Sequence, residues 1–211
     1  MDVRRIRADF PILNEVVYMD SASTSLTPEP VLREALSYYR EFNANVGRGV
    51  HRLSQVASQK YEEVRKKVAA FIGAKESEII FTKNATEAIN IVASGLRWGR
   101  GDRIVTTSLE HHSNFLPWMR LRRASVRVEV VRPRNGVLRA EDFESVVDER
   151  TKLVAITHAS NALGTLSPVE EIARICEEEG ALLLVDGSQS VPHMPIDVRR
   201  LGCDFLAFSG H

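Results

Sequence analysis

The sequence predicts an open α/β fold: a mostly parallel sheet flanked by helices, preceded by an N-terminal arm. Three observations carry this. Short continuous apolar runs recur from residue 78 onward, as expected of strands buried on both faces. Amphipathic stretches of helical period separate the runs, the alternation that produces parallel sheets. Small and polar residues collect just after the runs, where open α/β sheets bind their ligands.

Residues 1–27 read as an irregular arm, ending in the polar stretch Asp20-Ser21-Ala22-Ser23-Thr24-Ser25. Pro28 and Pro30 then open a segment with Val31, Leu32, Ala35, Leu36 and Tyr39 at helical spacing. NANVGRGVHRLS breaks that pattern and reads as a loop. A long helix is predicted from about Ser54 to Phe71, with Val56, Tyr61, Val64, Val68 and Phe71 on one stripe and Gly73 placed to end it. The predicted strands are EIIFT, DRIVTTS, RVEVVRP, TKLVAITHA, ALLLVD and CDFLAFS. Between them lie the helical segments ATEAINIVASGL, NFLPWMRLRRA, AEDFESVV and PVEEIARICEEEG. No internal repeat or low-complexity segment interrupts this order, and strand order is not legible.

Composition narrows the function classes. The 211 residues carry 28 basic and 28 acidic side chains, which argues against a dedicated nucleic-acid binder needing a basic excess. The run Arg120, Arg122, Arg123, Arg127 reads as a solvated face. No apolar stretch approaches the ~20 residues of a membrane span, and MDVRRIRADFP lacks the apolar region of a signal peptide. Two cysteines, Cys176 and Cys203, form no disulfide framework, so a cytoplasmic setting is expected. Both fall in apolar surroundings and read as structural.

The residues able to carry chemistry follow the apolar runs. In LLLVDGSQS, Asp186 stands at the mouth of a buried strand, where a carboxylate needs a cation or several donors. A pyridinium nitrogen would suit it, with Gln189 in reach of a neighbouring ring oxygen; a plain helix N-cap is the alternative. Asn84-Ala85-Thr86 lies between a predicted strand and a helix, where free amides and the helix dipole favour a phosphate, though threonine there also fits routine capping. His111 and His112 point to opposite sides of an extended chain and chelate one ion poorly, so no metal site is expected. An imidazole lying flat on an aromatic cofactor is one use of such a histidine, and a hydrogen-bonded loop histidine is the other. No Gly-x-Gly-x-x-Gly follows a strand, which argues against a dinucleotide-binding dehydrogenase.

The stretches YMDSASTS, GRGVHRLS, EIIFTKNATEAINIVA, LEHHSNFLPW, ITHASNALGT, LLVDGSQSVPH and CDFLAFSGH together resemble the cysteine desulfurase and selenocysteine lyase group of class V aminotransferases. They cover nearly the whole chain in the family's order. The resemblance implies a fold type I enzyme dependent on pyridoxal 5'-phosphate (PLP), with residues 1–27 an arm of the small domain and 28–211 the large PLP-binding domain. It implies Asp186 on the pyridine nitrogen, Gln189 and Asn161 at the phenolic oxygen, and His111 stacked on the ring and able to shuttle a proton. Thr86, Ser209 and His211 would hold the phosphate, with Ala85 where desulfurases often have a second threonine. Gly47 stands where a histidine is frequent. The family's cofactor lysine is expected immediately after His211. The implied reaction removes sulfur or selenium from an amino acid to give alanine. The expected partners are an amino-acid substrate, a second copy of the chain and a sulfur-acceptor protein. Other class V reactions (transamination, epimerisation, carbon–carbon cleavage) and a lysine-lacking, non-catalytic dimer are the alternatives.

Overall fold

A computed structural model describes residues 2–210. The chain divides into two units, residues up to 69 and residues 70–210. In the first, the arm is more regular than expected. The Asp2 side chain accepts from the amides of Arg4 and Arg5 and caps α1 (Val3–Ala8), and Pro11–Asn14 forms a 3-10 turn. Helix α2 (Glu29–Ser37) continues as a π turn over Tyr38–Phe42. Helix α3 (Arg52–Ile72) follows and ends at Gly73, whose φ of 71° is the left-handed conformation expected of it. The glycine-rich loop before α3 hangs on Ser54, whose buried hydroxyl accepts from Gly49 N–H and donates to the Asn45 carbonyl.

The second unit holds α4 (Ala85–Gly95), β1 (Arg103–Thr107), α5 (Leu116–Leu121), β2 (Arg127–Val131), α6 (Glu141–Glu144), β3 (Thr151–Thr157), α7 (Val169–Glu179), β4 (Leu182–Asp186), α8 (Val198–Leu201) and β5 (Phe205–Ala207). All adjacent strands pair in parallel, in the order β2-β1-β3-β4-β5. Alternate strand residues divide between two layers. Ile104, Val128, Leu153, Ala155 and Leu184 pack with Ile89 and Ala93 of α4 and with Trp118 of α5. Val105, Val154, Ile156, Leu183 and Val185 are buried on the opposite face, the side taken by α7, whose Val169, Ile172, Ala173 and Cys176 turn inward. Gly180 closes α7 with φ 71°, its amide bonding back to Cys176 and Glu177.

One predicted strand is absent. EIIFT begins in a 3-10 turn at Glu76–Glu78 and is not a strand thereafter; Ile80 remains 77% exposed. Its apolar run resembles a buried strand, but β2 and β5 close the sheet edges among the described residues. No described helix is long and apolar enough to cross a membrane.

Candidate functional site

Parallel pairing brings the carboxyl ends of all strands to one edge, and the second unit gathers most of the predicted residues there. Asp186 ends β4 in register with Thr157 of β3. It is 4% exposed. Its Oδ1 accepts from Ser188 N–H at 3.0 Å, and among the described residues no basic side chain lies within ion-pair distance. Gly187 follows in a crowded spot: a Cβ there would meet the side-chain ends Leu206 Cδ1 at 2.8 Å and Val191 Cγ2 at 2.9 Å, which would have to shift. Gln189 sits in the turn that follows, partly buried.

The N-terminus of α4 faces the same region. Asn84 caps it, its Oδ1 accepting from Glu87 N–H at 2.9 Å while its carbonyl accepts from Ala88 N–H. Ala85 N–H reaches Ser209 Oγ at 3.5 Å, a long contact that nevertheless sets the segment after β5 beside the first turn. The Thr86 amide has no protein acceptor among the described residues. An 11-residue helix with an open first-turn amide suits an anion.

A chain of polar contacts links this helix to His111. The Thr86 and Ser113 hydroxyls are 2.7 Å apart, and Ser113 Oγ lies 3.0 Å from His111 Nδ1. Ser113 N–H also donates to His111 Nδ1 at 3.2 Å, so that nitrogen carries a lone pair and a neutral imidazole bears its proton on Nε2. The His111 and His112 rings meet edge to face, 5.9 Å between centroids. Ser113, the link in this chain, was not singled out by sequence reasoning; its place two residues after His111 was the only clue.

Beneath His111 lies Glu110, which the sequence placed at a strand end without assigning it a role. Its carboxyl accepts from Thr107 Oγ1 (2.6 Å), Thr157 N–H (3.0 Å) and Asn114 Nδ2 (2.6 Å). Burial and, less strongly, the nearby charge of Asp186 outweigh these donors and push Glu110 up to about 8.

One predicted residue stands apart and another is not described. Asn161 is exposed in a turn closed by Gly164 N–H on the Ser160 carbonyl, with no hydrogen bond to the other candidates. His211 lies outside the described residues. Both cysteines are free thiols; burial pushes Cys176 up to about 12 and Cys203 to about 11, which disarms them as nucleophiles at neutral pH.

The residues fit a pyridoxal phosphate on their own chemistry. A buried carboxylate lacks a basic partner among the described residues, an open helix terminus is flanked by hydroxyls, and an imidazole is tied to that terminus through Ser113 with its tautomer fixed.

The chain is similar to known proteins over its whole length. The aminotransferase class-V sequence profile matches residues 17–211. A probable cysteine desulfurase of Methanothermobacter thermautotrophicus is 53% identical over 212 residues, an alignment covering 100% of this chain and 53% of that protein. The apo structure of a cysteine desulfurase from Thermococcus onnurineus NA1 superposes with a TM-score of 0.94 at 50% identity, covering 99% of this chain and 53% of the other. The cysteine desulfurase CsdA from Escherichia coli gives a TM-score of 0.89 at 32% identity, over 100% of this chain and 55% of that one. The chain spans about half the length of the relatives it matches.

Proposed function

The chain belongs to the aminotransferase class-V family, and from that premise we propose that it supplies the cofactor-holding part of a PLP-dependent cysteine desulfurase. The observation that carries the proposal is Asp186: a carboxylate buried at a strand end, with no cationic side chain paired to it among the described residues. The cofactor, when bound, supplies a cationic ring that withdraws electrons from the substrate's alpha carbon.

Each residue then has a task. Asp186 keeps the ring nitrogen protonated, and Gln189 and Asn161 address the ring oxygen. Ala85 and Thr86 present the α4 terminus, and with Ser209 and His211 they hold the phosphate. His111, turned by Ser113, covers the ring face and offers Nε2 for a proton. The substrate is cysteine or selenocysteine, the product alanine. Neither Cys176 nor Cys203 takes the sulfur, because burial keeps both protonated. The enzyme acts as a homodimer in a reducing cytoplasm and passes sulfur to an acceptor protein.

The test is direct. Full-length protein incubated with PLP should show an absorbance band near ~420 nm that borohydride abolishes, and with dithiothreitol added as the reductant it should release alanine and sulfide from cysteine. A protein that binds no PLP and forms no alanine refutes the proposal. Light scattering should give the mass of two subunits, and a one-subunit mass removes the dimer.

A further inference from the structure

We propose that Glu110 is a positioning residue for the cofactor site, fixing the segment that carries His111 and standing as a second carboxylate behind Asp186; this rests on the PLP reading above.

The direction of each hydrogen bond to Glu110 is set by its partner. Thr157 N–H is a donor by nature. Asn114 is oriented by Trp118: the indole Nε1–H donates to Asn114 Oδ1 at 3.1 Å, so Nδ2 is the atom left for Glu110. Asn114 and Trp118 are both fully buried, so neither amide nor indole finds water instead. The Thr107 hydroxyl accepts from Leu109 N–H at 3.1 Å and turns its own proton to Glu110. Only a carboxylate accepts from all three without conflict.

The network also determines what moves together. Thr107 ends β1, Thr157 ends β3, and Asn114 closes the 3-10 turn that His111 caps. Asn114 N–H donates to the His111 carbonyl at 2.8 Å. One carboxyl group therefore joins two strand ends to the backbone of the stacking histidine. Its tie to Thr157 also places it beside Asp186, the register partner of Thr157.

Two carboxyls this close oppose each other's ionisation. Among the described residues the charge acting on Glu110 is that of Asp186 from β4, and the titratable neighbours on its own loop are His111 and His112. Burial and Asp186 favour the protonated form, in which Thr107 is the one neighbour able to accept the proton. A cation seated on Asp186 removes that repulsion, the smallest of the effects on Glu110, and leaves burial alone opposing the three donors. PLP binding and a well-ordered His111 segment are thereby coupled.

The experiment exchanges the hydrogen-bond partners. In full-length Glu110→Gln, either amide orientation sets an NH2 against a fixed donor, Thr157 N–H or Asn114 Nδ2. In the double variant Glu110→Gln, Asn114→Asp, the new carboxylate accepts from both the introduced amide NH2 and Trp118 Nε1, restoring every bond. Apoprotein is titrated with PLP, and the dissociation constant and the visible circular dichroism of the bound cofactor are read beside the melting temperature. Glu110→Gln is expected to weaken PLP ~10-fold or more and to diminish the visible band, and the double variant to recover both to within ~3-fold. Unchanged affinity and band in Glu110→Gln overturns the proposal, as does a folded double variant with no recovery. Should neither fold, isosteric Thr107→Val deletes one donor, and unchanged affinity and band there overturns it equally. A wild type that binds no PLP defeats the reading of the site itself, an outcome distinct from a wild type that binds beside an indifferent Glu110→Gln.

Discussion

Raising the pH over full-length apoprotein perturbs Glu110 with no mutation at all, and the structure gives the sign and size of the response. The folded chain holds the Glu110 proton up to about 8, whereas an open chain releases it near 4.5. The folded state therefore binds more protons between these values, so stability is full below pH ~4.5 and is lost as the pH climbs through ~8. At ~1.4 kcal/mol per pH unit, the loss is on the order of 3–5 kcal/mol across the window, the lower figure applying if water reaches the carboxyl as the loop relaxes. His158 works in the opposite sense: desolvation holds it below its usual range, so its contribution grows with pH up to ~6.5. Subtracting the curve of Glu110→Gln removes His158 and every other shared group. Urea unfolding of both proteins at pH 5, 6.5 and 8 is the assay, and the wild type should lose stability relative to the variant at each step. Parallel curves would refute a protonated Glu110 in the folded apoprotein, and a wild type gaining on the variant would reverse the sign.

Three further outcomes are expected. Asp186→Ala should abolish cysteine turnover in the full-length enzyme while leaving the far-ultraviolet spectrum unchanged; undiminished alanine formation would remove Asp186 from its role. Gly187→Ala forces a Cβ to within 2.8 Å of Leu206 Cδ1, an overpacking expected to cost ~1–3 kcal/mol in urea unfolding, and an unaltered midpoint would contradict the crowding. Replacing Cys176 and Cys203 together by alanine should keep sulfide release within ~2-fold, because thiols pushed to about 12 and 11 present almost no thiolate at neutral pH. A tenfold loss would show that one of them takes part.

Particular residues show what was legible beforehand. Asp186 declared itself because four apolar residues precede a carboxylate, and the strand it ends is observed. The start of α4 was visible but its cap was misplaced: the sequence reading offered Thr86 as the capping residue, whereas Asn84 holds the Glu87 amide. EIIFT misled because apolar content is local while strand pairing needs a partner, and Ile80 has none among the described strands. Glu110 stood in view without a role, because its partner Thr157 lies 47 residues away and its burial is a product of the finished sheet. Ser113 is a similar case, 27 residues from the Thr86 hydroxyl it meets. Features set by adjacent residues were readable; those set by tertiary closure were not.

The strand order has a kinetic consequence. β1 pairs with β3 across an excursion through β2, bringing Arg103 opposite Thr151, so the centre of the sheet forms only after a long loop closes. Parallel pairings of this kind are slow relative to local helix formation. The bond from Glu110 to Thr157 bridges that same closure, and Asp186 joins only when β4 docks on β3. On refolding, α3 and α4 should thus gain their helical signal well before the chain acquires any affinity for PLP, and the delay between the two signals measures how late the cradle is assembled.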